Sequence, residues 1–236
     1  MRIRYMSDLH LEFTDYLPPS IPSIGEDVVV LAGDIGVGLE GVRWACAAFS
    51  GRPVIYVLGN HEYYGNHFSD LPAKAREIAR DSNVHFLEDE SIVIGGVRFL
   101  GTTLWTDFNV FGNHRQFHCM TKAAISMTDF RVIVTGPLGI TRPLTPADTL
   151  TRHKASRAWL DREIHASTEP CVVITHHCPS FQTCQAEYRN ELMTAAFISN
   201  LEGLMSPRVK AWIYGHTHQT LKYEINGMPL LTNQRG

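Results

Sequence analysis

Short apolar runs rich in β-branched residues recur along this chain, and each ends at a glycine or a polar residue. Segments whose apolar residues have helical spacing lie between them. A chain that alternates strands and helices in this way folds into a layered α/β structure. The predicted strands cover residues 2–6, 28–32, 54–58, 97–100, 171–175 and 211–214, and residues 221–225 and 228–232 form a hairpin around an Asn-Gly turn.

Four segments have the apolar spacing of amphipathic helices, namely 39–49, 70–80, 146–164 and 191–204. The stretch 106–145 has no sustained periodicity and contains several glycines and prolines, so we expect a lid or an active-site loop there. No repeat, low-complexity tract or linker separates these segments. We therefore expect one domain that spans residues 1–236.

The composition limits the classes of function. The formal net charge of −3 provides no basic field for long nucleic acids or anionic lipids. No run approaches the ~20 apolar residues that span a bilayer, so we expect no membrane association. Five cysteines without a C-x-x-C pair, and an N-terminus without the features of a signal peptide, indicate a cytoplasmic protein. The 12 histidines, by contrast, are a reason to look for metal or proton chemistry.

Side chains that bind metals stand just beyond the carboxyl ends of five predicted strands. In open α/β sheets, binding sites lie beyond these strand ends, so the five blocks can converge in one crevice. Glycines within the blocks permit tight turns and a close approach of the backbone to bound ions. The blocks are Asp8-Leu9-His10, Gly33-Asp34-Ile35-Gly36, Gly59-Asn60-His61-Glu62, His176-His177-Cys178-Pro179 and Gly215-His216-Thr217-His218.

The spacing and chemistry of these blocks favour a site for transition metals. Residues i and i+2 of an extended backbone point the same way, so Asp8 and His10 can bind one ion together, as can His216 and His218. The mixture of carboxylate, amide and imidazole suits Mn, Fe or Zn rather than Mg or Ca. Each block alone is more often an ordinary turn after a strand. Five blocks of this kind together are better explained by a shared metal site.

In this order, from residue 8 to residue 218, the five blocks resemble the motifs of the calcineurin-like metallophosphoesterase superfamily: D-x-H, G-D-x-x-G, G-N-H-E, a late histidine before proline, and G-H-x-H. The resemblance implies a four-layer αββα sandwich of two mixed sheets flanked by helices. It also implies two divalent metal ions at the sheet edge, with Mn favoured and Fe or Zn as alternatives. The implied activity is hydrolysis of a phosphoester.

The resemblance also assigns metal ligands, residue by residue. Asp34 would bridge the two ions. His177 stays open as an alternative to its neighbour His176. The first ion would be bound by Asp8, His10, Asp34 and His218, and the second by Asp34, Asn60, His176 and His216.

Four further residues are candidates for catalysis or substrate binding. His61 matches the family's histidine that contacts the phosphate and helps to protonate the leaving group. Glu62 is expected to orient His61 or a metal ligand. Arg115, in the stretch 106–145, is a candidate for substrate contact, although a solvated polar loop is the more common situation. Arg235 belongs to a C-terminal Asn-x-Arg-Gly element that resembles one in some bacterial members of the superfamily.

These observations predict a binuclear metal-dependent phosphoesterase that hydrolyses a small phosphomonoester or phosphodiester by attack of a metal-bound hydroxide. The expected partner is therefore a small phosphorylated substrate. A nuclease on the same fold is the first alternative, and a non-catalytic metal-binding scaffold is the second. A complete ligand set together with His61 favours an enzyme over a scaffold. The sequence leaves open the oligomeric state and the choice between monoester and diester.

Overall fold

A computed structural model describes residues 1–14, 18, 20–49, 51–137 and 139–235 of the chain. Two β-sheets pack against each other through apolar side chains, and helices cover the outer face of each sheet. This arrangement is a four-layer αββα sandwich and confirms the predicted fold class. Within the described residues, no helix combines the length and the apolarity that crossing a membrane requires.

The first sheet has four parallel strands that pair in chain order: β1 (Ile3–Met6), β2 (Val28–Ala32), β3 (Val54–Val57) and β4 (Val84–Phe86). In β2, Val29 and Leu31 contact the layer of outer helices, whereas Val28 and Val30 contact the second sheet. Both faces of β2 are therefore buried, as its uninterrupted apolar sequence predicts. All strand pairs of this sheet are parallel, so the expectation that both sheets are mixed is wrong for this one.

Two helices cover the first sheet, and both lie within one residue of the predicted bounds. They are α1 (Glu40–Ala48) and α2 (Leu71–Ala79). Each buries one apolar stripe in the same core cluster, for example Val42 and Ala45 in α1 and Ala75 in α2. The burial of one stripe is what the amphipathic spacing of these segments predicts.

The second sheet has six strands in mixed directions. Its edge strands are β5 (Glu90–Ile94) and β11 (Leu221–Ile225), and the four strands between them are parallel to one another. The hairpin turn at Asn226-Gly227 has positive φ at both residues, as a tight two-residue turn requires. The strands are β5 (Glu90–Ile94), β6 (Val97–Thr102), β9 (Cys171–Thr175), β10 (Val209–Ile213), β11 (Leu221–Ile225) and β12 (Met228–Thr232).

The longest helix, α5 (Pro146–Ala166), covers the outer face of the second sheet. Leu160 and Ile164 of α5 belong to the same buried cluster as Val173 and Trp212 of the sheet. Thr145 and Asp148 form a capping box at the start of the helix. The proline at the first helical position and this cap explain why the predicted start, at residue 146, is correct.

Residues 106–145 are not the irregular loop that the sequence predicts. Helix α3 buries Cys119 and Ala123 while it exposes Phe117 and Ile125. Because the buried face of α3 is narrow and apolar residues also lie on its exposed face, the sequence of this helix does not show the apolar spacing of an amphipathic helix. Leu138 lies outside the described residues. The elements in this stretch are α3 (Asn113–Ser126), α4 (Asp129–Val132) and the antiparallel pair β7 (Val134–Thr135) and β8 (Arg142–Pro143).

The helix predicted over 191–204 is also wrong. Only two short 3₁₀ turns form there within the described residues, Leu192–Ala196 and Glu202–Leu204. Between them the backbone pairs with the chain that follows β9: the N–H of Cys178 donates to Phe197 O (3.1 Å), and the N–H of Ser199 donates to Cys178 O (3.0 Å). Backbone groups that pair in this way cannot also close helical turns.

Candidate active site

The five polar blocks meet at one edge of the sandwich, where their strands end. Nitrogen and oxygen atoms of seven residues approach one another within 4.8 Å in three overlapping groups. Asp34 belongs to two of these groups and therefore lies at the centre of the site. The groups are Asp8 with His10 and His218, His10 with Asp34 and His61, and Asp34 with His176 and His216.

The atoms at the centre fit a bound cation. The Nδ1–H of His176 donates to Ala32 O (2.9 Å), so in the neutral ring Nε2 carries the lone pair. That Nε2 lies 3.3 Å from Oδ2 of Asp34, a buried oxygen without a hydrogen-bond partner. Two lone pairs at this distance repel each other unless a positive charge lies between them. The pair is therefore suited to a metal ion.

Two pairs of imidazole nitrogens have the spacing of ligands to a common ion. The Nε2 atoms of His10 and His218 are 3.3 Å apart, and Nε2 of His176 is 3.2 Å from Nδ1 of His216. Nitrogen ligands at about 2.1 Å from one ion stand roughly 3.0–3.4 Å from each other. Asn60 joins the second pair, since its Oδ1 lies 3.1 Å from His176 Nε2. The donor set of carboxylate, amide oxygen and imidazole suits a transition metal.

Five of the candidate ligands lie on backbone in the left-handed region, which corrects one expectation. Asp8, His10, Asp34, His216 and His218 have φ between 48° and 70°. Neither Asp8 with His10 nor His216 with His218 is therefore on extended backbone. His216 joins the group around Asp34, and His218 joins the group around Asp8. Non-glycine residues adopt this backbone region at a cost, and such residues cluster at functional sites.

Close contacts between the turns require glycine at two positions. A Cβ atom on Gly33 would lie 2.5 Å from Nδ1 of His176. A Cβ atom on Gly59 would overlap Oδ1 of Asp34. The turns after β2 and β3 can therefore approach the ligands only because these residues have no side chain.

Glu62 holds the backbone of the metal-binding turns rather than the ring of His61. Its buried carboxylate accepts four hydrogen bonds at 2.7–3.0 Å. Burial, with repulsion from Asp34, raises the pKa of Glu62 to about 7. The donors are the N–H groups of Asp34, Ile35 and Gly59 and the hydroxyl of Tyr56.

Glu12, which the sequence reasoning missed, joins a candidate metal ligand to the candidate catalytic histidine. Its Oε1 accepts from Nδ1 of His10 (3.1 Å) and from Nδ1 of His61 (2.9 Å). Burial alone would raise the pKa of Glu12, but these two hydrogen bonds lower it to about 2. For His61, burial opposes the charged ring, while the Glu12 hydrogen bond raises its pKa above the ordinary value. The signal was available, because Glu12 follows His10 by two residues.

Asp129, also missed, orients Asn60. Its Oδ1 accepts from Nδ2 of Asn60 (3.0 Å) and from the hydroxyl of Tyr64 (2.8 Å). With Nδ2 held in this way, Oδ1 of Asn60 faces His176. Asp129 begins α4, inside the stretch that the sequence reasoning left without structure, and no local motif marks it.

The structure separates the remaining candidates. His177 belongs to none of the three groups, and its Nδ1 donates to Thr103 O (3.2 Å). Arg115 is exposed on α3 and does not line the cavity described below. Arg235 lines a groove of about 380 Å³ together with His10, His61 and His218. Gly236, which ends the Asn-x-Arg-Gly element, lies outside the described residues.

A cavity of about 700 Å³ opens from the metal-binding atoms. Asp34, Asn60 and His216 line its inner end, together with His61 and His218. Two segments form its sides, namely residues 126–129 and parts of 183–198. A space of this size holds a small organic molecule.

Comparisons with known proteins agree with this geometry. A family model described as calcineurin-like phosphoesterase matches residues 1–220. An uncharacterized protein of Acanthamoeba polyphaga mimivirus is 28% identical over 264 residues, which cover 100% of this chain and 91% of the viral protein. The crystal structure of the phosphopantetheinyl hydrolase of Mycobacterium tuberculosis superposes with a TM-score of 0.73 at 19% identity, over 100% of this chain and 89% of that one. At this identity the superposition shows a shared fold.

Proposed function

Because the chain belongs to the calcineurin-like phosphoesterase family, we propose that it hydrolyses a small phosphorylated molecule at a centre of two divalent metal ions. Metal-dependent hydrolysis of a phosphoester is the chemistry of this family. The observation that supports the two-metal proposal is that two groups of potential ligands share Asp34, whose buried Oδ2 has no hydrogen-bond partner. One ion would be held by Asp8, His10, Asp34 and His218, and the other by Asp34, Asn60, His176 and His216.

We favour Mn, with Fe or Zn as alternatives, because the donor set mixes imidazole with oxygen. When bound, the ions supply positive charge to the phosphate and lower the pKa of a water molecule. In the reaction, the P–O bond to the alcohol breaks, a P–O bond to a water oxygen forms, and the alcohol leaves with a proton. His61 would provide that proton. Glu12 holds the ring of His61 by Nδ1, which leaves Nε2 for the substrate.

Arg235 would contact the substrate, because it lines a groove together with His61 and His218. Arg115 would not contact the substrate, because its side chain does not line the cavity. The segment 106–145 would act as one side of the substrate cavity within a single domain of residues 1–236. Five unpaired cysteines support a cytoplasmic location.

The test is turnover of p-nitrophenyl phosphate and bis-p-nitrophenyl phosphate by Mn-loaded protein. We expect hydrolysis of at least one, and their ratio decides between monoester and diester. Absence of turnover of both by protein shown to contain metal would contradict the proposal. Steep, salt-dependent binding of oligonucleotides would instead favour the nuclease alternative.

The role of His61 has a sharper test. We expect His61→Ala to keep both metal ions, measured by elemental analysis, and to lose about 10²- to 10⁴-fold in kcat. His118→Ala, which changes an exposed histidine on α3, is the matched control and should retain activity. Loss of metal from His61→Ala would contradict the assignment of His61 as an acid.

A further inference from the structure

The cavity beside the metal centre is much larger than a phosphate group requires. Its volume of about 700 Å³ falls in the range of sites that enclose whole organic ligands. Of the proposed metal ligands, only Asp34, Asn60, His216 and His218 line it, and most of its lining comes from other residues. The rest of the cavity is therefore available to the organic part of the phosphoester.

The charges along the cavity are unfavourable for an anionic group. Among the described residues that line it, there is no lysine or arginine. The carboxylates of Asp34 and Asp129 are buried and engaged with Asn60, His61 and Tyr64, and that of Glu191 is exposed at the mouth. Beyond the metal-binding residues and His61, a second phosphate or a carboxylate in the cavity would find no lysine or arginine side chain to pair with.

Two aromatic rings stand where the metal centre opens into the cavity. The ring of Phe197 stacks on His216, with centroids 4.5 Å apart, and the ring of Tyr64 stacks on His61 at 4.3 Å. Both residues also line the cavity, and Met127 and Met193 extend its apolar surface. The part of the substrate that follows the phosphate would therefore lie against apolar walls, where a charge of either sign loses solvation.

We propose that this cavity binds an uncharged organic group joined to the phosphate, with apolar, hydroxyl or amide character, and that it discriminates against charged groups. This inference rests on the proposed function and adds the class of substrate to it. Nucleoside diphosphates, sugar bisphosphates and polynucleotides are excluded from the cavity because each carries further anionic groups beyond the reacting phosphate.

The test compares phosphate esters of one chain length that differ only at the far end. The alcohol chains end in an N-methyl amide, a carboxylate or a trimethylammonium group. The esters are made as monoesters if the protein prefers p-nitrophenyl phosphate, and as methyl diesters if it prefers bis-p-nitrophenyl phosphate. We expect kcat/KM for the amide to exceed that for either charged ester by about tenfold or more. A charged ester hydrolysed as well as the amide would overturn the proposal.

A pair of glutamine variants tests whether the cavity itself is responsible. Gln185 lines the cavity, whereas Gln182, three residues earlier, is exposed and does not. Gln185→Lys should narrow the preference for the amide over the carboxylate by about threefold to tenfold, because it adds a positive charge near the bound group. Gln182→Lys should leave the preference unchanged. Equal effects of the two variants would contradict a cavity-based preference.

Binding without turnover gives an independent measurement. The matching phosphonates, whose P–C bond resists hydrolysis, should show the same order of affinity in calorimetry with Mn-loaded protein. If p-nitrophenyl phosphate is hydrolysed but no end-group preference is found, this inference fails and the proposed function stands. If no ester is hydrolysed by metal-loaded protein, the proposed function fails.

Discussion

The metal centre and the sides of the cavity are built in contrasting ways. The turns after β1, β2, β3, β9 and β10 carry the candidate metal ligands, and we call them the floor of the site. Residues 126–129 and 183–198 form the sides of the cavity, and we call them its walls. In the floor, Asp8 and His176 are fully buried, and Asp34 is 1% exposed. In the walls, Tyr188 is 54% exposed and the backbone forms only short turns between residues 183 and 198.

The contrast separates chemistry from specificity. The floor is fixed by hydrogen bonds among buried groups, with Glu62 alone holding two of its turns. A change there alters the metal-binding atoms directly. The walls line the cavity in which we propose that the substrate binds, and irregular segments on a rigid scaffold tolerate change better than the scaffold does. Substitutions in the two regions should therefore differ in kind as well as in size.

The largest effect is expected in the floor, from Asp34→Asn. The substitution removes the carboxylate charge shared by two groups of ligands, so we expect at least about a 10³-fold loss of kcat/KM. The rise in melting temperature on adding Mn should also disappear, because ligand binding stabilises only a protein that can bind it. Asp81→Asn, an exposed change, is the control. Normal metal content in Asp34→Asn would contradict the central position of Asp34.

Glu88 sharpens the comparison, because it is buried like the floor carboxylates but belongs to none of the three groups of candidate metal ligands. Burial, with repulsion from Asp89, raises the pKa of Glu88 to about 7. Between the ordinary pKa of 4.5 and about 7, the folded state holds a proton that the unfolded state has lost. Stability therefore falls as pH rises through this window.

Denaturant unfolding at pH 5 and pH 8 measures this effect. Between pH 5 and pH 8, the free energy of unfolding should fall less in Glu88→Gln than in the wild type. The expected difference between the two falls is on the order of 2–3 kcal/mol. Glu77→Gln, on the exposed side of α2, should follow the wild type. Identical pH slopes for Glu88→Gln and the wild type would rule out Glu88 as the titrating group.

An intermediate effect is expected from Glu12→Gln, at the edge of the floor. Glutamine keeps an acceptor oxygen but loses the charge that holds His10 and His61 together. Changing the partner of a metal-bound histidine typically costs about 10- to 100-fold in activity or metal affinity. We expect such a loss in kcat, with Mn affinity reduced at one of two sites in calorimetry. A variant with unchanged kcat and affinity would show that Glu12 only packs.

The smallest effect is expected where wall meets floor, from Asp129→Ala. Asn60 then loses the acceptor that orients its amide, and we expect about a tenfold weaker affinity for one Mn ion. Asp129→Asn, which keeps an acceptor oxygen, should restore most of the affinity. Tyr64→Phe removes the other donor to Asp129 and should have less effect. Equal losses in all three variants would indicate general damage to the wall.

The sequence predicts the floor well because its information is local. Each block sits at the end of a recognisable strand, and the topology of a parallel sheet brings such ends together. The strand 28–32 and the helix start at residue 146 were correct for similar reasons, since an apolar run and a proline act at short range. All five blocks lie within residues 1–220, the range that the family model matches.

The walls could not be predicted because their structure depends on distant contacts. Helix α3 has too narrow an apolar stripe to be recognised, and the chain at 197–199 is not helical because its backbone pairs with Cys178. Asp129 acts on Asn60 from 69 positions away. Glu12 is different, because it follows His10 by two residues, the same spacing that led us to pair Asp8 with His10.

The contact between His10 and His218 spans 208 positions of the chain, which has a consequence for how the protein is made. During synthesis, the first sheet can form while the second is still incomplete, yet the group of Asp8, His10 and His218 lacks a member until His218 has left the ribosome. Contacts this distant in sequence form late and slowly. The group around Asp34 needs His216, so both groups wait for the end of the second sheet, and binding of metal ions would report that the chain has been completed and folded.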